Sequence, residues 1–325
     1  MDTLKRSSTI WVPTLTTLLD TTWDTIESQL DSGPVNYLIP IQKFIFAFAS
    51  LCIAGADPAN SPDIADKGYI RMDRWLAVQL LPIVPITAFQ PLVEIFLHSF
   101  PYPYFFVSRD YKKLYEFVES EGKEVISRAR TEFKLSKEDA THNLLFIIGF
   151  NAFGGFSILF PSLLSALAAD ETGVQEKLRK EVREKAGPAS GLSLRSVQEM
   201  DLVLSFVYET LRLNPPVPLQ YGRARKDFKL SSHDSPLVMR DPKVFDDPET
   251  FVPDRFTGEK GKELLSYLYW SNGPQSGMPS GSNKQCAAKD YVTLTTSLFL
   301  AHMFLRYDSV TITNASFTAV DKPTP

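Results

Sequence analysis

Residues 270–290 read WSNGPQSGMPSGSNKQCAAKD and lead into an uncharged, mostly apolar run that ends before Arg306. This run predicts a helix over residues 287–306, so Cys286 lies just before a helix N-terminus. Backbone N–H groups and the positive end of a helix dipole favour the thiolate form of a cysteine. A thiolate is what an iron ligand requires, but an incidental cysteine at a helix start fits the position as well.

A second signal lies upstream, where Glu209 and Arg212 stand three residues apart in a helix predicted over residues 196–213. Their side chains share one helix face and can pair with each other and with a third charge from elsewhere. Such a pair is common on protein surfaces and is weak by itself. The residues that follow it in order are Pro215, Pro216, Arg255, Gly273 and Cys286. The ordered series is more specific than the pair.

Composition sets broad limits on the kind of protein. The chain has 325 residues, of which 44% are hydrophobic and 22% charged, as in an ordinary globular protein. A net charge of -4 without a basic cluster predicts no nucleic-acid partner. Cys52 and Cys286 are the two cysteines, and they form neither a disulfide framework nor a zinc motif. Cys52 lies in an apolar run and is interpreted as a small buried hydrophobe.

The central run 144–169 has no charged residue and is long enough to cross a hydrocarbon core of about 30 Å. A membrane-spanning helix and a long buried core helix both fit that length. Asn151 and Pro161 interrupt its apolar character, and no Lys or Arg flank is biased to one side. Ser136 with Asp139 forms a capping-box pattern that predicts a helix N-terminus in water. These features favour a core helix.

The rest of the chain predicts a mostly helical protein. Further helices are predicted at residues 14–30, 36–56, 109–133 and 174–186. The helix 109–133 is predicted to bury Tyr111, Leu114, Phe117, Val125, Ala129 and Phe133. The helix 196–213 is predicted to open on a capping box of Ser196 with Glu199. Residues 215–282 predict turns and a few strands. Without a repeat or linker, one domain over residues 1–325 is expected.

The ordered series of charged residues, glycine and cysteine resembles the C-terminal signature of cytochromes P450. The stretch 270–290 resembles the haem loop of the plant enzymes that act on fatty-acid hydroperoxides, the allene oxide synthases and hydroperoxide lyases. HNLLF at 142–146 and FNAFGG at 150–155 resemble the same subfamily, and the similarity runs from about residue 4 to 318. The resemblance implies a mainly α cytochrome P450 fold with small β-sheets.

The resemblance also implies a cofactor and the residues around it. Cys286 would be the axial thiolate ligand of the iron of haem b. Other residues that the resemblance places at the cofactor are Asn272, Gly273 and Lys284. The family's structural triad, which supports the haem loop and has a folding role, corresponds to Glu209, Arg212 and Arg255.

The central helix carries the expected catalytic residue. Oxygen-activating cytochromes P450 place an acid and an alcohol there to deliver protons to dioxygen, whereas this chain has Asn151, Gly154 and Gly155. A hydroperoxide brings its own O–O bond, so the resemblance implies that neither dioxygen nor a redox partner is needed. Asn151 would hold the hydroperoxide and the resulting radical through its neutral amide; a buried asparagine bonded to a neighbouring helix is the alternative. The glycines would let the helix approach the haem or bend, or form a packing notch.

Two branches of the subfamily are open. Chain fragmentation gives a short aldehyde and an oxo acid, whereas loss of an electron and a proton gives an allene oxide. Ala152, Ala287 and Ala288 look more like hydroperoxide lyases, because allene oxide synthases tend to have Ser and Gly there. A lyase of 13-hydroperoxides of linoleic or linolenic acid in oxylipin biosynthesis is therefore expected. The family is mostly chloroplast-associated and leaves peripheral membrane association open, although the first twenty residues show no transit peptide.

Two gaps separate the chain from the family pattern. Relatives carry a long N-terminal portion before the position of Met1, and a strand and turn between Ser235 and Pro236. The gaps predict an incomplete cytochrome P450 domain that lacks the N-terminal part. They leave open a catalytically inactive haem-binding fragment or an interaction-only product.

Overall fold

A computed structural model describes residues 8–80, 103–186, 191–217, 238–271, 273–278, 280 and 283–323. The chain divides into two compact units. One comprises Leu15–Leu38 and Gly155–Pro325, and the other comprises Asp2–Thr14 and Ile39–Gly154. The single domain expected over the whole chain stays a prediction, and the gap expected after Ser235 lies outside the described residues.

The described chain is mainly α with small β-sheets, which confirms the predicted class. Its helices are α1 (Ser8–Leu30), α2 (Leu38–Ala49), α3 (Pro62–Leu80), α4 (Ser108–Glu121), α5 (Lys123–Phe133), α6 (Lys137–Phe146), α7 (Gly154–Ala168), α8 (Val174–Ala186), α9 (Leu194–Gln198), α10 (Asp201–Leu213), α11 (Gly258–Leu264) and α12 (Lys289–Arg306). Its strands are β1 (Val35–Asn36), β2 (Tyr269–Trp270), β3 (Gly273–Pro274), β4 (Ser309–Thr313) and β5 (Ser316–Asp321). Short π-helical segments, Ser50–Ala54 and Ile147–Phe153, follow α2 and α6.

The strands form two small antiparallel sheets, of order β1-β5-β4 and β2-β3. The β4-β5 hairpin turns at Asn314 and Ala315, whose φ angles are 47° and 61°. Two left-handed residues are what a tight hairpin turn requires, and asparagine adopts them more readily than most residues. The sequence lacks the stronger Asn-Gly signal, so this hairpin was not predicted.

Helix α12 is the core of the unit that contains Gly155–Pro325. It contacts α8, α9 and α10. Phe299 stacks on Phe160 with ring centroids 4.4 Å apart, and Trp23 lies 5.5 Å from Phe299. A helix buried on most of its sides carries few charges, which is why this segment reads as an uncharged run. The helix predicted over 287–306 is confirmed, except that it begins two residues later.

Close helix packing in the other unit depends on Gly149. A Cβ atom there would lie 2.5 Å from Met72 Sδ and 2.6 Å from Trp75 Cζ3 on α3. Glycine therefore lets the central helix approach α3 more closely than any other residue would allow. A packing notch at Gly154 and Gly155 was one of the readings left open: a Cβ at Gly154 would make an ordinary contact with Leu76 Cδ1 on α3 at 3.6 Å, and one at Gly155 would meet no described atom within 4 Å.

The helix predicted over residues 109–133 is two helices, α4 and α5, which meet at Gly122. A Cβ at Gly122 would lie 2.7 Å from the carbonyl oxygen of Val118 and 3.3 Å from that of Ala54. The interruption changes which residues face the core, because helical periodicity does not continue across it. Beyond the glycine, Ile126 is buried, the predicted Val125 and Ala129 are only half-buried, and Phe133 is 58% exposed, so the prediction was wrong for Phe133 and missed Ile126.

The predicted capping box of Ser196 with Glu199 is wrong. Ser193 is the N-cap of α9, and its hydroxyl accepts from the backbone N–H of Ser196 at 3.0 Å. Helix α10 is capped from outside, because the Glu181 carboxylate accepts from the N–H groups of Leu202 and Val203 at 3.0 and 2.9 Å. A carboxylate suits the positive end of a helix, but a cap from another helix leaves no local sequence pattern.

Two further boundaries differ from prediction. Helix α1 already includes Ser8, whereas the predicted helix began at residue 14. The helix predicted over 36–56 starts after β1 and ends at Gly55, which has φ 65° and donates to the Leu51 carbonyl. A left-handed glycine is a common helix terminator.

The central helical stretch Lys137–Ala168 is the one in the described ranges that is long and apolar enough to cross a membrane by length and composition. Half of its most apolar window is buried inside the protein. Its start is the predicted one, since the Ser136 hydroxyl accepts from the N–H of Asp139 at 2.9 Å. Core helices of soluble proteins pass the same length test, so this stretch is weak support for a membrane span.

Candidate functional site

The structure brings the three residues of the predicted triad together around one buried carboxylate. Glu209 on α10 is fully buried, and Arg212 is 1% exposed. Arg212 donates from Nε and Nη2 to the two carboxylate oxygens at 2.7 and 2.8 Å. Arg255 Nε donates to Glu209 Oε1 at 3.0 Å. The three-residue spacing on α10 produces the bidentate pair, and the chain turn that follows brings the second guanidinium.

The two guanidinium groups also donate hydrogen bonds to backbone carbonyls between residues 239 and 250. Arg212 Nη1 donates to the carbonyl oxygens of Met239 and Pro248, both at 2.7 Å. Arg255 Nη1 donates to the Asp246 carbonyl at 2.6 Å. Because the segment has little regular structure, these side chains supply hydrogen-bond partners that a helix or strand would otherwise provide.

The triad carries one negative and two positive charges in a buried place. Buried charges are costly unless they are paired and hydrogen-bonded, and carbonyl oxygens offset the excess positive charge. The Phe245 ring also lies 5.0 Å from the Arg212 guanidinium. None of these groups is free to react, so the arrangement holds the chain in place.

The segment Trp270–Cys286, which we call the ligand loop, ends at the candidate ligand. The backbone N–H of Cys286 donates to the Trp270 carbonyl at 3.1 Å, next to the β2-β3 hairpin. Cys286 is a free, half-buried cysteine. The Cys286 carbonyl accepts from the N–H of Lys289, where α12 begins. The cysteine therefore lies three residues before the helix, held by backbone bonds on both sides.

Gln285 fixes the path of the ligand loop, a role that sequence reasoning missed. Its side-chain Nε2 donates to the carbonyls of Ser276 and Gly277 at 3.0 and 3.2 Å, and to that of Pro274. Lys289 Nζ adds a bond to the Gln275 carbonyl at 3.0 Å. Irregular loops leave carbonyls in need of donors, and an amide beside the cysteine supplies them. The separation in sequence between Gln285 and the residues that carry those carbonyls forms no recognised motif.

The remaining residues expected at the cofactor have different settings. A Cβ at Gly273 would lie 2.1 Å from Asn283 Oδ1, so the missing side chain makes room for Asn283. Lys284 is exposed. Asn272 lies outside the described residues. The structure gives Gly273 a clear role in the loop, and its role toward a cofactor stays a prediction.

Asn151 belongs to the other compact unit and lies in the π-helical segment Ile147–Phe153. Its side chain is exposed, whereas Ala152 and Phe153 beside it are buried. The alternative of a buried asparagine bonded to a neighbouring helix does not fit this exposure. Single π-turns within α-helices frequently occur at functional sites, because the extra residue redirects side chains. No sequence pattern predicted the π-helix.

The start of α7 lies close to the start of α12 within the same unit. Phe156 packs edge-on against Tyr291, with ring centroids 5.7 Å apart. Tyr291 lies five residues after Cys286, and Gly155 immediately precedes Phe156. The first turn of α7, with its open glycine, is thus near the end of the ligand loop.

Other metal-binding arrangements are not found in the described ranges. No group of three or more His, Cys, Asp or Glu side chains there could hold a metal ion. Cys52 is 1% exposed, and burial raises the pKa of its thiol well above the ordinary value. It is the small buried hydrophobe that the sequence predicted, which leaves Cys286 as the candidate thiolate.

Comparison with known proteins identifies relatives over nearly the whole chain. Residues 162–276, which include all three triad residues, match the sequence profile described as Cytochrome P450. The chloroplastic fatty acid hydroperoxide lyase of Solanum lycopersicum is 60% identical over 99% of this chain and 71% of its own length. The chloroplastic linolenate hydroperoxide lyase of Arabidopsis thaliana is 50% identical over 99% of this chain and 69% of its own length.

A probable inactive linolenate hydroperoxide lyase of Arabidopsis thaliana is also 50% identical, over 99% of this chain and 88% of its own length. Allene oxide synthases are more distant, at 34% to 38% identity. The alignment with the Solanum lyase covers 338 positions, whereas this chain has 325 residues. The relative therefore has residues without a counterpart inside the aligned region, and the position of the gap after Ser235 stays a prediction.

Proposed function

The chain belongs to the cytochrome P450 family, in its hydroperoxide lyase branch, and from that premise we propose that it is a haem-thiolate lyase of fatty-acid hydroperoxides. Its substrates would be the 13-hydroperoxides of linoleic and linolenic acid, cleaved to short-chain aldehydes and oxo acids. The observation that carries the proposal is the free Cys286 at the end of a loop pinned by Gln285.

Family membership implies a haem-thiolate cofactor, and we propose haem b with Cys286 as its axial ligand. The residues fit this group, because Cys286 is half-buried and free while Cys52 is sealed in the core. A Cβ at Gly155 would meet no described atom within 4 Å, so this turn of α7 leaves room beside it. When bound, the haem supplies cleavage of the substrate O–O bond, so neither dioxygen nor a reductase is required.

Asn151 is the proposed substrate-orienting residue. An amide can donate to one oxygen and accept from another without changing charge, so it can hold a hydroperoxide without acting as an acid. Its exposure on a π-helical turn supports this role. Glu209, Arg212 and Arg255 are proposed to hold the chain that supports the ligand loop, and Lys284, Asn272 and Gly273 remain proposed cofactor contacts.

The lyase outcome is preferred over allene oxide formation. The relatives named hydroperoxide lyases are more similar to this chain than those named allene oxide synthases. Ala152 is 3% exposed, next to Asn151, so a larger residue there would have to displace its neighbours. The relative named probable inactive keeps a second candidate open, a haem-binding product without activity.

We also propose a chloroplast location, which the names of the relatives support. Peripheral contact with a membrane is supported by the aromatic turn Tyr104–Phe106, whose side chains are 57% to 69% exposed. Aromatic side chains settle at the boundary between lipid and water.

The first test is spectroscopic. The full chain is expressed with a haem precursor and purified, and its absorption spectrum is recorded. Wild type should show the Soret band of a thiolate-ligated haem. Cys286→Ala should abolish this band because the thiolate ligand is lost. Cys52→Ala is the matched control and should keep the spectrum. A wild-type protein without a Soret band would overturn the haem proposal.

The second test follows products from 13-hydroperoxy-linolenate. Aldehyde and oxo acid support the lyase, ketols support the allene oxide branch, and an unconsumed substrate with an intact Soret band supports the inactive product. Asn151→Leu should lower turnover while the haem spectrum is retained, because the side chain orients substrate and does not ligate iron. Equal turnover in this variant would remove Asn151 from the proposed site.

A further inference from the structure

The ligand loop contains an unusual share of unsatisfied polar groups. Of the ten buried side-chain nitrogen or oxygen atoms without a hydrogen-bond partner among the described residues, four lie in this loop. They are Trp270 Nε1, Gln275 Oε1, Asn283 Oδ1 and Gln285 Oε1. Buried polar groups in native proteins are nearly always hydrogen-bonded, so such a concentration needs an explanation.

Trp270 differs from the other three because its free group is a donor. The amide orientations of Asn283 and Gln285 are fixed, since their nitrogens donate to loop carbonyls at 3.0 Å. Their oxygens can accept from a water molecule. The indole N–H has no acceptor lone pair and no alternative tautomer, so it can be satisfied only by an acceptor that comes to it.

The position of Trp270 points to the bound group as that acceptor. Trp270 is 9% exposed and its indole nitrogen is buried, and the Trp270 carbonyl accepts the backbone N–H of Cys286 at 3.1 Å. The same residue is therefore tied directly to the candidate iron ligand. Trp23 provides a contrast in the same unit, because its indole N–H already donates to His302 Nδ1 at 3.2 Å.

We propose that the Trp270 indole N–H donates a hydrogen bond to an anionic acceptor of the bound haem-thiolate group and so positions it. This inference rests on the proposed function, because either anionic acceptor requires bound haem. Two sources offer an anionic acceptor: a carboxylate at the porphyrin edge and the sulfur of the iron-bound Cys286. Hydrogen bonds to charged acceptors are stronger than those to neutral ones, so this contact stabilises the loaded protein.

The experiment compares wild type with Trp270→Phe, which keeps an aromatic ring and removes the N–H. Trp23→Phe is the matched control, because it removes an indole whose donor is bound within the protein. For each haem-loaded protein, transfer of haem to excess apomyoglobin and the midpoint potential of the iron are measured. Loss of a bond to a carboxylate should speed haem transfer about tenfold and leave the potential unchanged. Loss of a bond to sulfur should instead lower the potential, because the thiolate then donates more charge to the iron.

The results separate failure of this inference from failure of the proposed function. A wild-type protein that binds no haem defeats both. A wild-type protein that binds haem, with a Trp270→Phe variant equal to it in both measurements, overturns the Trp270 role alone. If the variant does not fold, ultraviolet resonance Raman spectra of the wild type replace it: a stronger indole hydrogen bond after haem loading supports the inference, and an unchanged indole signal overturns it.

Discussion

The triad around Glu209 and the ligand loop are both built from buried polar groups, but the chain satisfies them to different degrees. In the triad, each carboxylate oxygen accepts at least one guanidinium N–H, and both arginines extend to backbone carbonyls. In the ligand loop, four buried polar atoms have no partner among the described residues.

The difference separates a folding element from a binding element. A buried charge cluster is stable only when every member is satisfied, so the triad is complete within the polypeptide. A loop that leaves a donor unsatisfied is stabilised further by whatever supplies the acceptor. Substitutions in the triad should therefore change the stability of the fold, and substitutions in the loop should mainly change haem retention.

Glu209→Gln should have the largest effect on the fold. The variant keeps the shape of the side chain but leaves two buried guanidinium groups without a counter-charge, which costs about 3–5 kcal/mol of unfolding free energy. Denaturant unfolding measures it. Glu249→Gln is the control, since Glu249 pairs with Arg240 at a largely exposed position. Loss of that pair should cost less than about 1 kcal/mol. Equal losses in the two variants would show that the triad is not a special folding element.

Gly273→Ala should have a smaller effect, confined to the ligand loop. The new Cβ overlaps Asn283 Oδ1 and lies 2.9 Å from Gln285 Cγ. Overpacking of this kind costs about 1–3 kcal/mol. Because the loop holds the proposed iron ligand, haem transfer to apomyoglobin should become faster, while the denaturant midpoint should fall less than in Glu209→Gln.

A double variant tests the cause of that effect. Asn283→Ala removes Asn283 Oδ1, the atom nearest to the new Cβ, and leaves the contact with Gln285, so the two substitutions together should retain haem better than Gly273→Ala alone. Additive losses would show that the glycine is needed for another reason, such as contact with the cofactor.

Local patterns predicted the parts of the fold that local forces determine. The charge-free run gave α12, the charged segment 174–186 gave α8, and the cap at Ser136 gave the start of the central helix. Patterns could not give the break at Gly122, because its contact with the Ala54 carbonyl joins distant parts of the chain. The cap of α10 by Glu181 has the same origin.

The candidate site also contains contacts that local sequence patterns predicted and contacts that they could not predict. The three-residue spacing of Glu209 and Arg212 gives a bidentate pair directly, because the helix repeat places the two side chains together. Arg255 was placed with them only by resemblance, and the structure supplies the 3.0 Å contact. The hydrogen bonds that Gln285 donates could not be predicted, because they depend on the path of the mostly irregular chain that follows the β2-β3 hairpin.

The smallest effect on stability is expected near the C-terminal end of α12. There the hydrogen bonds of a buried polar cluster are all made only while His302 is neutral. His302 Nδ1 accepts from the Trp23 indole, so its proton lies on Nε2, which faces Asp20 Oδ1 at 3.3 Å. Burial lowers the pKa of His302, and the nearby Arg306 adds to this, against the opposing effect of Asp20. A proton added to Nδ1 would replace the acceptor that Trp23 needs.

The sign of the pH dependence follows from this. The unfolded chain has a histidine pKa of about 6.5 and takes up the proton before the folded chain does. The contribution of neutral His302 is therefore complete above pH of about 6.5 and is lost as the pH falls toward the lower folded pKa. The denaturant midpoint of wild type should drop between pH 7.5 and 5.5, and His302→Asn, whose amide oxygen can still accept from the indole, should drop less. Equal drops would show that the cluster of Trp23, His302 and Asp20 tolerates a charged histidine. The contrast between the fully hydrogen-bonded triad and the ligand loop would then not extend to this cluster.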